Sequence, residues 1–553
     1  MKRILLYFLV VILIASLVTS VANAQSDLGG FSGSFQLEGQ TYKSDSLMEA
    51  KKVSEQIQSN GYFNLNYNNG GLTAGIRYEY YLNPLQGIDT RYKGQGIAYR
   101  YANYSNDFIE VTAGNFYEQF GSGMIFRAYE EKALGWDNAM DGARFKVYPT
   151  DGIEVVGIWG TQRNYWTQGA GVIRGGDLNF SLNELLGHGI FGAANLTAGA
   201  SVVSVYQQDR DLLLKMPENV LAWSGRAALL GDKYSVDAEY SYKYNAPDAS
   251  NKNSFNPGYG FILNGSYFTS GFSANLGLHK IDNMDFRSDR NASKADLMLG
   301  YIPPLTKLHS YRLATMYPYA TQFNGEAGLQ AEVDYKFARN TFLGGAYGTD
   351  VAVNYSLVYN LDSSKTGDYT YDSPFFGIGD DLYFQDFNIN LQHKFSSDFK
   401  GAFTYFNQKY NIDVIENSGA PGAGGYVYTN ILVAEGTYRF TNKYSLKVEL
   451  EHQWASLDTL TSHNIINGNW FGFLAEFTIS PGWYITFYDD WNYGNDESDR
   501  QIHYYNGSLA FTTGSTRLSL GYGRQRAGIL CVGGVCRQVP ASNGFYLSVN
   551  TAF

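Results

Sequence analysis

The sequence predicts an all-β chain closed into one transmembrane, antiparallel up-and-down β-barrel of about 26 strands, with 22 to 26 the range that the pattern allows. Three observations predict it. An apolar/polar alternation of period two recurs along the whole length after residue 25. Short turns alternate with long polar loops. The last segment, 544–553, sets Phe545, Leu547, Val549, Thr551 and Phe553 on one apolar face.

Residues 1–24 come first. Lys2-Arg3, an apolar run from Ile4 to Val18 and the small-residue stretch Ala22-Asn23-Ala24 read as a secretory signal peptide. Residues 25–553 are then one outer-membrane barrel domain. Gln25 offers no thiol for a lipid anchor, and after the signal no apolar stretch reaches the ~18 residues that a membrane helix needs. The chain therefore spans with strands. The 46 Tyr, 35 Phe and 61 Gly, with a mildly negative mean hydropathy, suit strands with one face in lipid and one in water. A net charge of −11 argues against nucleic acid, which wants a basic stripe.

The strands follow in order from 31–42 to 544–553. Leu72, Ala74, Ile76, Tyr78 and Tyr80 share a face, with Arg77 and Glu79 opposite. Tyr234, Val236, Ala238, Tyr240 and Tyr242 oppose Asp237, Glu239 and Lys243. Leu329, Ala331, Val333 and Tyr335 oppose Glu332, Asp334 and Lys336, and Tyr444, Leu446, Val448 and Leu450 oppose Lys447, Glu449 and Glu451. Short turns at 68–71, 150–152, 231–233, 269–271, 441–443 and 513–515 alternate with loops such as 244–259, 360–381, 411–429 and 526–543. Outer-membrane barrels keep short turns in the periplasm, which places both termini there. The pattern is irregular at 172–206, 286–318 and 341–359. Residues 47–59 have helical spacing, and 183–188 reads as a further helical turn.

Projected inward, the alternation collects charges of both signs, among them Arg77, Glu79, Arg100, Glu110, Arg144, Lys146, Arg226, Asp237, Glu239, Asp386 and Glu449. They suit either a selective polar conduit or a cross-braced wall. Barrels of about 22 strands are plugged, so a wider one needs a filler. Strand pattern begins within about ten residues of the signal, which leaves inward-folded loops or a partner to fill it. The best candidate is 117–142. Its Met124-Ile125-Phe126 gains little outside the barrel, Gly121 and Gly123 permit a sharp re-entry, and Arg127, Glu130, Glu131 and Lys132 would pair with wall residues Arg100, Arg144 and Lys146 as a constriction. A long external hairpin is the alternative.

At this stretch, Gly114-Asn115-Phe116-Tyr117-Glu118-Gln119-Phe120-Gly121-Ser122-Gly123 with Arg127-Ala128-Tyr129-Glu130-Glu131-Lys132 and Asp141-Gly142 resembles an uncharacterised family of Bacteroidetes-type outer-membrane barrels, a domain of unknown function. The resemblance implies fold and location and brings no site residues.

Cys531 and Cys536 flank a Gly-Gly loop in an exported chain and are expected to form a disulfide at a hairpin tip. The histidines stand singly, without metal-site spacing. His452, beside Trp454, points outward with no partnering serine, so a rim lipase is not indicated. Asp489, Asp490, Asp496, Glu497 and Asp499 lack calcium-loop spacing and read as a solvated acidic loop. No enzyme, cofactor or metal site is expected. Two functions stay open: a constricted or gated porin-like channel for small polar solutes, or a structural subunit that docks lipoproteins or a larger outer-membrane complex. Membrane lipid is the partner in both.

Overall fold

A computed structural model describes residues 29–187, 194–292, 295–416, 424–458, 467–532 and 535–553. The stretch 1–24, expected to be a signal peptide, lies outside these residues. Among them, 24 strands form a single antiparallel sheet that closes on itself. The first strand, Gly30–Thr41, pairs with the last, Ser542–Ala552, from Ser34↔Ala552 to Gln40↔Tyr546. Closure leaves no unpaired edge, which is the condition for a sheet to cross hydrocarbon.

Alternation sorts side chains as the pleat requires. On Leu72–Asn83, Leu72, Ile76 and Tyr78 are exposed on the outer face while Arg77 and Glu79 are buried within. Around the ring Leu276, Val333, Phe403, Leu450, Phe487 and Leu520 continue this outer apolar belt. A patch of that extent is not left to water by a monomeric soluble protein, and it faces lipid here. One rim carries the tight turns, such as 70–71, 231–233 and 514–515, together with the outer ends of the first and last strands. The opposite rim carries the long connections, with the two-residue turn 165–166 as an exception.

The count of 24 differs from about 26 at one place. No barrel strand lies in 286–318 among the described residues, because strands Phe272–Asp282 and Glu326–Phe337 pair directly, from Phe272↔Tyr335 to Ile281↔Glu326. The intervening 283–325 leaves the wall and folds into the lumen. Segment 172–206 falls into Thr167–Ser181 and Asn195–Tyr206, and 341–359 contains the single strand Thr349–Tyr359. The helical spacing of 47–59 makes no helix. Asp45 and Ala50 pair across a tight turn and the next strand starts at Ile57. Met48 and Ala50 are apolar because they dock on a buried core. Leu182–Leu186 is a short helix at the turn rim.

Two apolar cores occupy the lumen. The first joins Phe120, Met124, Ile125 and Phe126 to Met284, Phe286, Leu299 and Ile302, and sets both against inward wall residues Val156, Ile158, Ile173, Val203, Val205 and Ile262. The second sets Leu313, Met316, Tyr317 and Tyr319 against Phe384, Phe406, Val427, Ile431, Val433 and Trp470. Each large side chain so buried contributes about 1.5–3 kcal/mol. Where these cores dock, the wall is apolar on both faces.

Leu276, 47 % exposed in mid-strand, tests the outer face. Leu276→Arg is expected to destabilise the barrel by about 2–4 kcal/mol, and lumen-facing Asn275→Ser by less than about 0.5 kcal/mol. Urea unfolding in lipid vesicles measures both, and equal effects would contradict the assignment.

Candidate functional site

Residues 117–139 leave strand Ile109–Phe116 and cross the lumen before the chain rejoins the wall at Met140–Thr150. The re-entry is a tight loop in which Phe120 N–H donates to the Phe126 carbonyl at 3.1 Å and Gly123 N–H to the Phe120 carbonyl at 2.9 Å. Gly121 has a φ of 54°, and a Cβ there would lie 2.6 Å from a Glu239 carboxylate oxygen. Only glycine allows this approach, which lets Ser122 N–H donate to Glu239 Oε2 at 2.7 Å. The two lumen segments are stitched together by Arg127 N–H to the Leu299 carbonyl at 2.7 Å and Tyr301 N–H to the Gly123 carbonyl at 2.9 Å.

The charges of the segment then meet the far wall. The Arg127 guanidinium lies over the rings of Tyr129 and Tyr301, 4.2 and 3.8 Å from their centroids. Glu131 accepts from Ala133 N–H at 3.1 Å and caps the turn Lys132–Leu134. Lys132 Nζ reaches Gln36 Oε1 at 3.3 Å over the Tyr62 ring. Glu130 enters a buried cluster. Arg77 contacts Glu79 at 2.7 Å, Glu130 at 3.0 Å and also Asp137, and Arg163 contacts Glu79 at 2.7 Å and Asp137 at 2.5 Å. Glu79, Glu130 and Asp137 converge closely enough to suggest a cation site, but the two guanidiniums already lie among them. With three carboxylates on two guanidiniums, burial pushes the Glu130 carboxyl up to about 7, against the pull of Arg77. Glu130 is also the most exposed of the three.

Arg144 and Lys146 brace the base of the segment. Arg144 pairs with Glu110 and, at 3.2 Å, with Glu118, and Lys146 reaches Glu118 at 2.9 Å. Arg100 is a correction to the inward set. It is the register partner of outward Ile76, its side chain is 59 % exposed, and it pairs with Asp141 at 3.3 Å. The register shift that pairs Tyr78 with Ile97 and Arg77 with Tyr99 inserts Ala98 as an extra residue, which reverses the phase of the strand beyond it.

The sequence reading missed Arg163, Asp137, His309 and Arg312. Arg163 follows a register shift that buries both Gln162 and Arg163, so strict alternation could not reveal it. In 283–325, His309 pairs with Asp386, Lys307 with Glu332 at 3.0 Å, and Arg312 with Asp490 at 2.9 Å. Glu451 accepts from the Arg312 and Leu313 N–H groups at 3.1 and 3.0 Å. The acidic stretch thus divides. Asp490 is buried under Arg312, Asp489 pairs with His503 at 2.6 Å and Glu497 with Arg500 at 2.7 Å.

Cys531 and Cys536 form a disulfide across Gly528–Val532 and Val535–Val539. This hairpin packs against the turn Lys132–Leu134 and borders a cavity of about 350 Å³ shared with Arg312, Tyr317 and Asp386. His452 lies on the outer face, its ring 4.1 Å from Trp454 and its Nε2 2.7 Å from the Tyr493 hydroxyl; its register partners are Leu432 and Phe471. His188 and His463 lie outside the described residues. Nearer the turn rim the lumen is polar and holds a cavity of about 790 Å³, and a second, of about 390 Å³, lies toward the long-connection rim between Gln40, Leu85, Gln525 and Ser542.

Fold and site define a closed antiparallel membrane barrel whose lumen is narrowed by its own long loops. Over residues 1–553 the sequence matches the family described as "Family of unknown function (DUF6029)", and the chain belongs to that family. Among curated proteins, none matches it. Similar solved structures include the siderophore receptor PirA from Pseudomonas aeruginosa, at 10 % identity and a TM-score of 0.42 over 95 % of this chain and 80 % of that one. The P pilus usher (PapC) translocation pore is similar at 10 % identity and 0.38, over 95 % and 99 %. OccK5 (OpdH) from Pseudomonas aeruginosa is similar at 12 % and 0.36, over 78 % and 98 %.

Arg163→Ala leaves Glu79, Glu130 and Asp137 sharing Arg77 alone in a buried site, a loss of about 3–5 kcal/mol, whereas Glu130→Gln removes the surplus charge for less than about 1 kcal/mol. Trypsin cleavage after Arg127 and Lys132 reads the docking. Arg163→Ala is expected to speed it at least tenfold and Glu130→Gln by less than threefold; the reverse order would contradict the cluster's role.

Proposed function

We propose that the protein is an outer-membrane barrel, with its turn rim and termini in the periplasm, that works as a constricted porin-like channel for small polar solutes. The observation that carries this reading is the cross-lumen course of 117–139, from Glu239 on one wall to Gln36 and Tyr62 on the other. Its apolar half is fixed by burial, and its charged half narrows what is left of the lumen. The cavity nearer the turn rim and the one toward the long-connection rim are lined by polar and charged groups, the lining that a hydrated passage needs. Displacing Phe120, Met124, Ile125 and Phe126 together would expose four large side chains, so the narrowing is built in and solutes pass beside the segment. Arg127, Glu130, Glu131 and Lys132, with Arg144 and Lys146 at its base, are the residues assigned to the constriction.

Phe116 and Met140 are register partners, so a short Gly-Ser link in place of 121–136 leaves a hairpin that can close. In planar bilayers the purified protein is expected to show small conductance steps, enlarged at least threefold by that replacement. Silence from both proteins, with a stable partner on native extraction, would sink the channel reading in favour of a docking subunit for lipoproteins or a larger complex.

A further inference from the structure

The cavity of about 790 Å³ lies inside the wall between the turn rim and the underside of the re-entrant loop. Six carboxylates line it: Asp107, Asp151, Glu154, Glu184, Asp237 and Glu239. Arg226 is the one basic side chain in the lining. It is committed to Asp177, at 2.8 and 2.9 Å, and donates to Ser201 at 2.7 Å. None of the six carboxylates forms an ion pair with a described residue. Glu154 and Asp237 accept from neutral groups, Glu154 from the Asn179 amide at 3.1 Å and the Tyr148 hydroxyl, Asp237 from the Asn264 amide at 2.8 Å.

Glu239 is the second, independent observation. Its side chain is 5 % exposed, Oε2 is satisfied by Ser122 N–H, and Oε1 is buried with no hydrogen-bond partner. The Ser122 and Ser181 hydroxyls lining the same cavity are likewise unpartnered. A buried carboxylate oxygen without a donor is costly, and a ligand carrying N–H donors would relieve it.

The spacing of the carboxylates selects the ligand. Asp107, Asp151 and Glu184 are exposed in the turns and the short helix at the mouth, while Glu239 lies at the deep end under Gly121. Among the described residues, no three carboxylates of this cavity bring their oxygens within the 4.8 Å that a metal ion requires. Dispersed acceptors at two ends suit an elongated organic cation. Tyr148 on the cavity wall adds an aromatic ring, a partner that such cations favour. We propose that this cavity binds linear organic cations bearing ammonium or guanidinium groups at both ends, one end on Glu239 and the other at the acidic mouth. Given the channel reading, on which this consequence rests, the site makes the passage prefer cations.

The test titrates agmatine, a linear dication, into the detergent-purified full chain by calorimetry, with Glu239→Gln, the double variant Asp237→Asn/Glu154→Gln, and calcium as competitor. Saturable binding weakened at least tenfold in both variants is expected, with each variant keeping the heat-modifiable gel mobility of the parent. The double variant leaves the Ser122 contact in place, so it reports on the site even if Glu239→Gln loosens the loop. No saturable binding, equal binding in the double variant, or calcium displacing agmatine at lower concentration than agmatine itself requires would overturn the proposal. Reversal potentials in a potassium chloride gradient separate the two claims. Binding with silent bilayers retains the site and removes the channel; conductance without agmatine binding retains the channel and removes the site.

Discussion

A ring of 24 strands is too wide for its own wall side chains to meet across it, and this geometric constraint governs the rest of the molecule. Something must occupy the interior, and the chain supplies it from the rim that carries the long connections. Residues 117–139 and 283–325 enter, meet at the Leu299 and Tyr301 backbone, and bury a shared core against one arc of wall. The opposite arc receives 313–319 and Met48. The wall answers in its composition: inward positions are Val, Ile and Phe where the apolar parts of a segment dock, and Asp, Glu, Arg and Asn where its charged parts dock or a polar cavity is left.

Ionic contacts then fix position within that packing. Burying charge gains little stability over apolar contact, but an unpaired partner is costly, so a satisfied cluster penalises every misplacement. Arg77, Glu79 and Arg163 stand on the wall, and Glu130 and Asp137 on the crossing segment. Arg312 does the same for 283–325 against Glu449, Glu451 and Asp490. The two segments are thus held by dry contacts on one side and by charge pairing on the other, and the polar space left nearer the turn rim has a strongly acidic lining.

How much of this was legible in the amino-acid order depends on which face each residue meets. Strands with lipid on one side and water on the other, such as Leu72–Asn83 and Tyr444–Leu457, alternate cleanly and were readable. Around 172–206 the pattern blurs because Ile173, Val203 and Val205 face a docked core while Val202 faces lipid, so both faces are apolar. Residues 286–318 carry enough apolar character to resemble strands, yet Met284, Phe286, Leu299 and Ile302 serve an irregular interior with no fixed period. Arg100 and Arg163 were misplaced or missed because an inserted residue shifts the register, a local event that leaves no signature in composition. The segment 117–142 was distinguishable because its apolar triplet and glycines have no use in water. Its partners on the wall, Glu239 above all, come together only through the closure of the ring.

Hydrogen–deuterium exchange on the lipid-reconstituted protein tests most directly whether the barrel is filled by its own loops. The amides of Phe120, Gly123, Arg127, Leu299 and Tyr301, all hydrogen-bonded inside the lumen, should exchange as slowly as those of the wall strands, while the loop at Leu212 and Leu213, 98 % and 93 % exposed, exchanges at once. Exchange of the lumen amides as fast as that exposed loop would contradict the account.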